Sequence, residues 1–280
     1  MKTLRVGMIQ MEVIFHEPEL NLKKASELVA VAVKDGAEIC LLPECLDLGW
    51  GTPLAVEMAQ PIPGRTSDCL CEIAKENQVH LIAGITEKAG DKIYNTAVVI
   101  DDEGTLLGIH RKINVLTGVE DVYSIGDRVN VFDTKLGRLG VDICADNAFQ
   151  SLSIGVTLAR MGAEIILSPC AWAVLPDRDP IAHPYGEEWH VPYGRLSGDF
   201  EIPIIGVSNV GQVPVGTWAG WKDIGNSIAY GRDGKVLEIL PFGEKAECVK
   251  VIDVELGKVE RLGTSLANHV WKKEKERCEN

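Results

Sequence analysis

Short, nearly uninterrupted apolar segments alternate along this chain with longer segments of helical period, and that alternation constrains the fold more than any other feature. Ala37–Leu42, Val79–Thr86, Glu164–Leu167 and Ile204–Ser208 are too short for ordinary helices and too apolar for strands with one wet face. They read as strands covered on both sides. Between them lie the amphipathic segments Leu20–Lys34, stopped by Asp35-Gly36, then Asp68–Asn77, Ser151–Met161 and, despite Pro192 and two glycines, Glu187–Phe200. Leu4–Gln10, Gly137–Cys144 and Cys248–Val254 read as further strands. Two hairpins complete the pattern: Asn95–Ile100 with Thr105–His110, and Ser227–Tyr230 with Val236–Leu240, turned around Gly104 and Gly234. Strands alternating with helices, with hairpins interspersed, predict a mixed sheet in a layered α/β fold. No repeat, low-complexity segment or linker interrupts the pattern. Residues 1–280 therefore read as one domain, with a core at about 4–254 and a charged tail at 255–280. The stretch Ala173–Glu188 has three prolines and no period, and a loop of that length in a compact domain is usually functional or disordered.

Charge narrows the partners. With 28 basic and 41 acidic residues the formal charge is −13 and no basic run interrupts it, so the positive footprint that nucleic acid or an anionic membrane surface needs is missing. Met1–Gln10 lacks the apolar core of a signal peptide, and no apolar run approaches a membrane span. The eight cysteines are scattered without a Cys-x-x-Cys pair. That usage fits a reducing cytoplasm and argues against a structural zinc site.

Three strands end abruptly on a reactive residue. Ile39-Cys-Leu-Leu-Pro-Glu44 places a carboxylate after a proline that cannot continue a ladder. Gly108-Ile-His-Arg-Lys112 places an ammonium after a hairpin's return strand. Gly140-Val-Asp-Ile-Cys-Ala-Asp146 places Cys144 at a strand end shortly before a helix, the setting of a nucleophile elbow. Each residue alone has an ordinary structural reading: a core thiol (as for Cys40 and Cys170), a solvated lysine, a loop acid.

Together they resemble the carbon–nitrogen hydrolase family, also called the nitrilase superfamily, whose signatures are Pro-Glu at a strand end, a lysine after a hairpin strand, and Gly-x-x-x-Cys-x-Asp. All three occur here in the family's order, at Glu44, Lys112 and Cys144. Gly49-Trp50, Tyr94-Asn-Thr-Ala97, Ser168-Pro-Cys-Ala-Trp172, Asn209-Val-Gly211 and Gly225-Asn-Ser227 with Asp233-Gly234 extend the likeness over about residues 4 to 254. The resemblance implies a four-layer αββα sandwich, commonly paired into homodimers, with the C-terminal tail a candidate for the interface. It implies hydrolysis of an amide or carbamoyl carbon–nitrogen bond in a small molecule by a Glu-Lys-Cys triad, through a thioester, with no metal or organic cofactor. Glu44 is then the base, Cys144 the nucleophile, and Lys112 with the Ala145 N–H the oxyanion site. Glu120 matches a second family glutamate that orients substrate and lysine, or is a solvated loop acid. Trp50 and Trp172 are pocket walls or core residues, and the 173–188 loop, with His183 and Tyr185, is placed to cover the site.

Departures from the family pattern bear on the substrate. Asp146 points to an amidase-like branch, because true nitrilases tend to carry Cys-Trp-Glu. Ala148 stands where several acid-recognising members place an arginine, so the usual bidentate clamp on a carboxylate is missing. The expectation is an uncharged or cationic substrate, unless Arg178 or Arg195 supplies the clamp. Acyl transfer to an amine by the same triad, and a non-catalytic or redox-sensing binding protein of the same fold, remain open.

Overall fold

The computed structural model of the chain describes residues 2–257 together with 266, 270, 275 and 277. Most of the expected tail, 255–280, lies outside the described residues. The strands are β1 (Lys2–Gln10), β2 (Ile39–Leu41), β3 (His80–Ala89), β4 (Lys92–Ile100), β5 (Leu106–Arg111), β6 (Val131–Thr134), β7 (Gly137–Val141), β8 (Ile165–Cys170), β9 (Ala173–Val174), β10 (Ile204–Ser208), β11 (Val210–Gln212), β12 (Lys222–Ile224), β13 (Ile228–Tyr230), β14 (Val236–Ile239) and β15 (Cys248–Leu256). The α-helices are α1 (Pro18–Lys34), α2 (Ala55–Met58), α3 (Arg65–Asn77), α4 (Leu152–Arg160) and α5 (Glu187–Phe200).

Two six-stranded sheets form the centre, in the orders β15-β1-β2-β3-β4-β5 and β14-β13-β10-β8-β7-β6, with a small sheet β11-β12-β9 beside them. The middle of each large sheet is parallel, and antiparallel strands extend it on both sides. Leu4, Val6, Ile39, Leu41 and Ile82 of the first sheet share one core with Leu139, Val141, Leu167 and Ile205 of the second. The outer face of the first sheet, with Ile9, Cys40, Leu42 and Leu81, packs on Leu22, Ala25 and Val29 of α1 and Leu70 and Ile73 of α3. Leu158 of α4 and Tyr193 and Leu196 of α5 cover the second sheet. The result is the four-layer αββα sandwich. Strands buried on both faces explain the unbroken apolar runs, each fully buried aliphatic side chain contributing about 1.5–3 kcal/mol.

The elements β6, β9, β11, β12 and α2 are not expected from the sequence, β9 falling within the expected 173–188 loop, and three boundary differences bear on the site. β3 continues to Ala89 and pairs with a β4 that starts at Lys92, a hairpin turned at Gly90 (φ +61°). Its polar residues hide it, because buried Glu87 is satisfied by Arg111 and Thr96 across the sheet. β7 stops at Val141, so Asp142 and Ile143 already belong to the turn that presents Cys144. β8 runs on through Ser168-Pro169 to Cys170. The Ile166 N–H points toward the β10 side, bonding Pro203 O at 3.0 Å. By alternation Pro169 faces the β7 side, where pairing has ended at Val141 and Leu167, so its missing N–H costs no ladder bond.

Gly84 of β3 sets the position of the turn after β2. Its N–H donates to Pro43 O at 3.0 Å, and its carbonyl accepts from Leu46 N–H at 2.9 Å. A Cβ there would lie 2.6 Å from the Glu44 Cα and 2.9 Å from Pro43 O, both backbone atoms. Gly84→Ala is therefore expected to cost about 1–3 kcal/mol in urea unfolding and to lower activity by displacing Glu44. Asp223, on β12, is buried and accepts from Asn209 Nδ2 at 2.7 Å. Burial pushes its carboxyl up from the ordinary 3.8 to about 7. The folded state thus holds a proton that the unfolded chain releases above about pH 4, and this stabilising contribution is lost as pH rises through 7. Asp223→Asn, which cannot ionise, is expected to gain stability relative to the native chain between pH 5 and pH 8, read from paired urea midpoints.

Candidate active site

The sandwich brings the three strand ends to one place. Glu44 follows β2 and its N–H reaches across to Cys170 O, at the end of β8 in the other sheet, at 3.1 Å. Lys112 follows β5, with its N–H on Asn95 O of β4 at 2.9 Å. Cys144 opens a 3-10 turn (Cys144–Asn147) beyond β7, and its N–H donates to Ser168 Oγ of β8 at 3.0 Å. Cys144 and Cys45, the residue after Glu44, sit at φ +46° and +47°. A left-handed non-glycine residue costs roughly 1–2 kcal/mol and persists where surrounding contacts over-determine it.

A buried charge cluster lies at the junction. Lys112, 1% exposed, donates to Glu44 Oε1 at 2.8 Å and Glu120 Oε1 at 2.7 Å. Both carboxylates are fully buried. Glu44 Oε1 also accepts from Asn95 Nδ2 at 2.5 Å, whereas Glu44 Oε2 is buried with no protein partner. Glu120 accepts from Trp50 Nε1 and, through Oε2, from the Leu116 N–H at 2.6 Å. It is therefore a locked member of the cluster rather than a solvated loop acid. Burial, reinforced by the charge of Glu120, pushes the Glu44 carboxyl above its ordinary value against the pull of Lys112. Burial opposes charge on Lys112, but Glu120 and Glu44 outweigh it and hold the ammonium well above its ordinary value. The Cys144 thiol is pushed well up by its contact with the Cys170 thiol, by burial and by Glu44, with Lys112 acting the other way.

Several positioning residues escaped the sequence reading. Asp146, read from the sequence as the end of the cysteine motif and a branch marker but given no positioning role, ties the Cys144 turn to the lysine segment. Its Oδ1 accepts from the Asn114 N–H at 2.8 Å and the Ile113 N–H at 3.2 Å, and its Oδ2 pairs with His110 Nε2 at 2.9 Å and the Ile143 N–H at 3.1 Å. Burial works to raise its carboxyl, but these bonds, led by His110, hold it below the ordinary value. Asn95 and Cys170 also belong here. Asn95 lay within a quoted motif, but its bond to Glu44 depends on β4 pairing between β3 and β5, which no local pattern reports.

Ala145 follows Cys144 in the same turn and is buried. Trp50 and Trp172 are 3% and 2% exposed and stand behind the walls of an outer cavity of about 830 Å³. Trp50 packs against Trp218 with the ring planes tilted by 48°, and Trp172 stacks on Trp189, each pair with ring centroids 4.9 Å apart; Trp218 and Trp189 line the cavity. His183 and Tyr185 of the 173–188 loop also line it. Arg178 spends its Nε and Nη2 on His183 O and Pro184 O, at 3.0 and 2.9 Å. Arg195 lies away from this cavity, in an exposed pair with Asp199. Among the described residues no group of three or more His, Cys, Asp or Glu is arranged to hold a metal, and no helix is long and apolar enough to cross a membrane.

Comparison with known proteins places this geometry in a family. The chain is 37% identical over 182 residues to omega-amidase NIT2 of Bos taurus, covering 61% of this chain and 65% of that protein; it therefore spans slightly under two thirds of the omega-amidase's length. It is 31% identical over 278 residues to a nitrilase of Pyrococcus abyssi, covering 98% of both. Its fold superposes on a carbon-nitrogen hydrolase from Helicobacter pylori G27 with TM-score 0.78 at 21% identity, over 91% of this chain and 90% of the other. It also superposes on an amidase from Nesterenkonia sp. with TM-score 0.77 at 19% identity, over 96% of each. At those identities the structures speak to the fold alone. The carbon-nitrogen hydrolase family model matches residues 5–263, and the chain belongs to that family.

Proposed function

We propose that this chain hydrolyses a non-peptide carbon–nitrogen bond, an amide or carbamoyl group in a small uncharged or cationic molecule, through a thioester on Cys144. One observation carries the reading: the Lys112 ammonium is clamped by two buried carboxylates, and one of them, Glu44, keeps a buried oxygen free of protein partners within electrostatic reach of the Cys144 thiol.

The charges set the order of events. Glu44, Glu120 and Lys112 together carry one net negative charge, so a resting thiolate would add a second in the same buried space. The thiol therefore rests protonated, in keeping with its raised pKa. Its proton moves to Glu44 Oε2 as sulfur attacks the carbonyl carbon. A carboxylate with a raised pKa is the stronger base for this step. The tetrahedral oxyanion is stabilised by Lys112 and the Ala145 N–H. Collapse expels ammonia or an amine carrying the proton from Glu44 and leaves the thioester. Water then attacks the thioester carbon, giving one proton to the same carboxylate; the carbon–sulfur bond breaks, the acid departs, and Glu44 returns that proton to the Cys144 sulfur. Glu120 acts through Lys112, holding it charged and aimed.

The uncharged or cationic substrate is supported by Ala148, which offers no guanidinium, and by Arg178 and Arg195, engaged as described. Cytoplasmic location and homodimeric assembly belong to the same proposal. Assembly rests on the family resemblance, and location on the composition and on cysteines unpaired among the described residues.

Ammonia release from a panel of amides, carbamoyl compounds and nitriles is expected for the native chain and abolished in Cys144→Ala. Glu44→Gln is expected to lower kcat by roughly 10²–10⁴ with native-like circular dichroism. A chloroacetamide probe is expected to label Cys144 selectively. Release that persists in Cys144→Ala would refute the thioester route. Glu120→Gln is expected to lower kcat more than it raises KM, because it loosens the lysine that meets the transition state; an effect confined to KM would remove it from this role.

A further inference from the structure

The outer cavity is walled by two aromatic stacks, Trp218 on Trp221 and Trp189 on Trp172. On one side Trp50, whose indole N–H bonds Glu120, packs against Trp218 with the planes tilted by 48°, and Trp218 stacks on Trp221 with ring centroids 4.3 Å apart and planes 8° from parallel. Trp218 and Trp221 come from the turn Gly216-Thr-Trp-Ala-Gly-Trp221, whose glycines stand at φ +82° and +91°. On the other side Trp172 stacks on Trp189, and the Trp189 indole N–H donates to Tyr185 OH at 2.8 Å. Tyr185 is itself within electrostatic reach of Cys144. Four aromatic rings (Tyr185, Trp189, Trp218 and Trp221) thus face one space of about 830 Å³, within the range of small-molecule sites.

The charges around that space have one dominant sign. Asp177, Asp179 and Glu188 line it, against Arg178 as the fixed cation. Arg178 is turned inward to its own loop, with two of its nitrogens on loop carbonyls and its guanidinium 5.3 Å from the Tyr185 centroid. This wall therefore already holds one cation against an aromatic face. Asp177, Asp179 and Glu188 are all exposed at the rim, and Asp179 also accepts from the N–H groups of Ile181 and Ala182. Aromatic faces attract cations through the ring quadrupole, and acids at the rim add to that attraction while disfavouring a carboxylate. The net charge of −13 draws cations toward the protein from a distance.

We infer that this cavity is a specificity site for a cationic group, and that the preferred substrate is an amide whose far end carries an ammonium or alkylammonium group held between the two aromatic stacks. This inference rests on the amide-hydrolysis reading above and narrows its substrate.

Two measurements separate the inference from that reading. In the first, kcat/KM is compared for hexanamides ending in a trimethylammonium group, its uncharged tert-butyl isostere or a carboxylate. The cationic amide is expected to lead the neutral one by about tenfold or more, with the carboxylate poorest and the lead shrinking at high salt. Trp221→Leu and Glu188→Gln are each expected to narrow the cation-to-neutral ratio severalfold. In the second, tryptophan fluorescence of Cys144→Ala is titrated with hexyltrimethylammonium and its neutral isostere; the cation alone is expected to quench at low concentration. Turnover of all three amides with no lead for the cation overturns the inference and leaves hydrolysis standing. Quenching by the cation with no turnover of any amide supports the cavity assignment while removing the hydrolytic reading. Neither turnover nor quenching overturns both.

Discussion

The site depends on one ammonium placed between two carboxylates where water does not reach. Burying three charges in so small a space carries a large desolvation cost, recovered only if each charge is paired and hydrogen-bonded in good geometry. Here Lys112 bridges Glu44 and Glu120 at 2.8 and 2.7 Å, and Asn95, Trp50 and the Leu116 N–H satisfy most of the remaining capacity. Of the two carboxylates, the oxygen left without a protein partner is Glu44 Oε2, on the group proposed to accept a proton. An unsatisfied buried acceptor is costly in a scaffold and useful in a base.

Such a cluster needs a rigid frame, and the double sheet supplies it. Each partner arrives from the end of a strand whose register is set by burial on both faces, and a slip of one residue would turn its apolar side chains the wrong way. The two sheets are joined at the site itself, since the Glu44 N–H bonds Cys170 O across the sandwich. Asp146 does the same for the other half, holding the nucleophile turn against the segment that carries Lys112. The left-handed backbone of Cys144 is sustained by these contacts rather than by local preference.

The proposed substrate site belongs to a different layer of the structure. The charge cluster is buried and built from strand ends, whereas the outer cavity is lined by β9, the loop after it, the start of α5 and the 216–221 turn. Trp50 links the layers, since it bonds Glu120 and packs against Trp218, so one wall of the cavity is tied to the buried charge cluster. Loops carried on a fixed scaffold are where specificity can vary without disturbing the core.

Much of this was written locally in the chain. Apolar runs, amphipathic periods and turn residues determined the layered α/β class and most element positions, because burial on both faces leaves a mark in each short segment. Glu44, Lys112 and Cys144 stood out because each ends such a segment. What escaped was whatever depends on partners distant in sequence. The β3–β4 hairpin was hidden because Glu87 is polar in sequence yet neutralised by Arg111 only once the sheet forms. Glu120 looks like any loop acid until Lys112 and Trp50 close on it. Ser168-Pro169 looks like a strand end until the ladder on its other side is seen to stop first. The sequence alone determined which reactive groups stand at the ends of strands and on which kinds of element they sit. Only the tertiary structure decided which charges meet, which are buried, and what surrounds the space in front of them, because pairing energy and desolvation depend on distances between segments that local pattern does not encode.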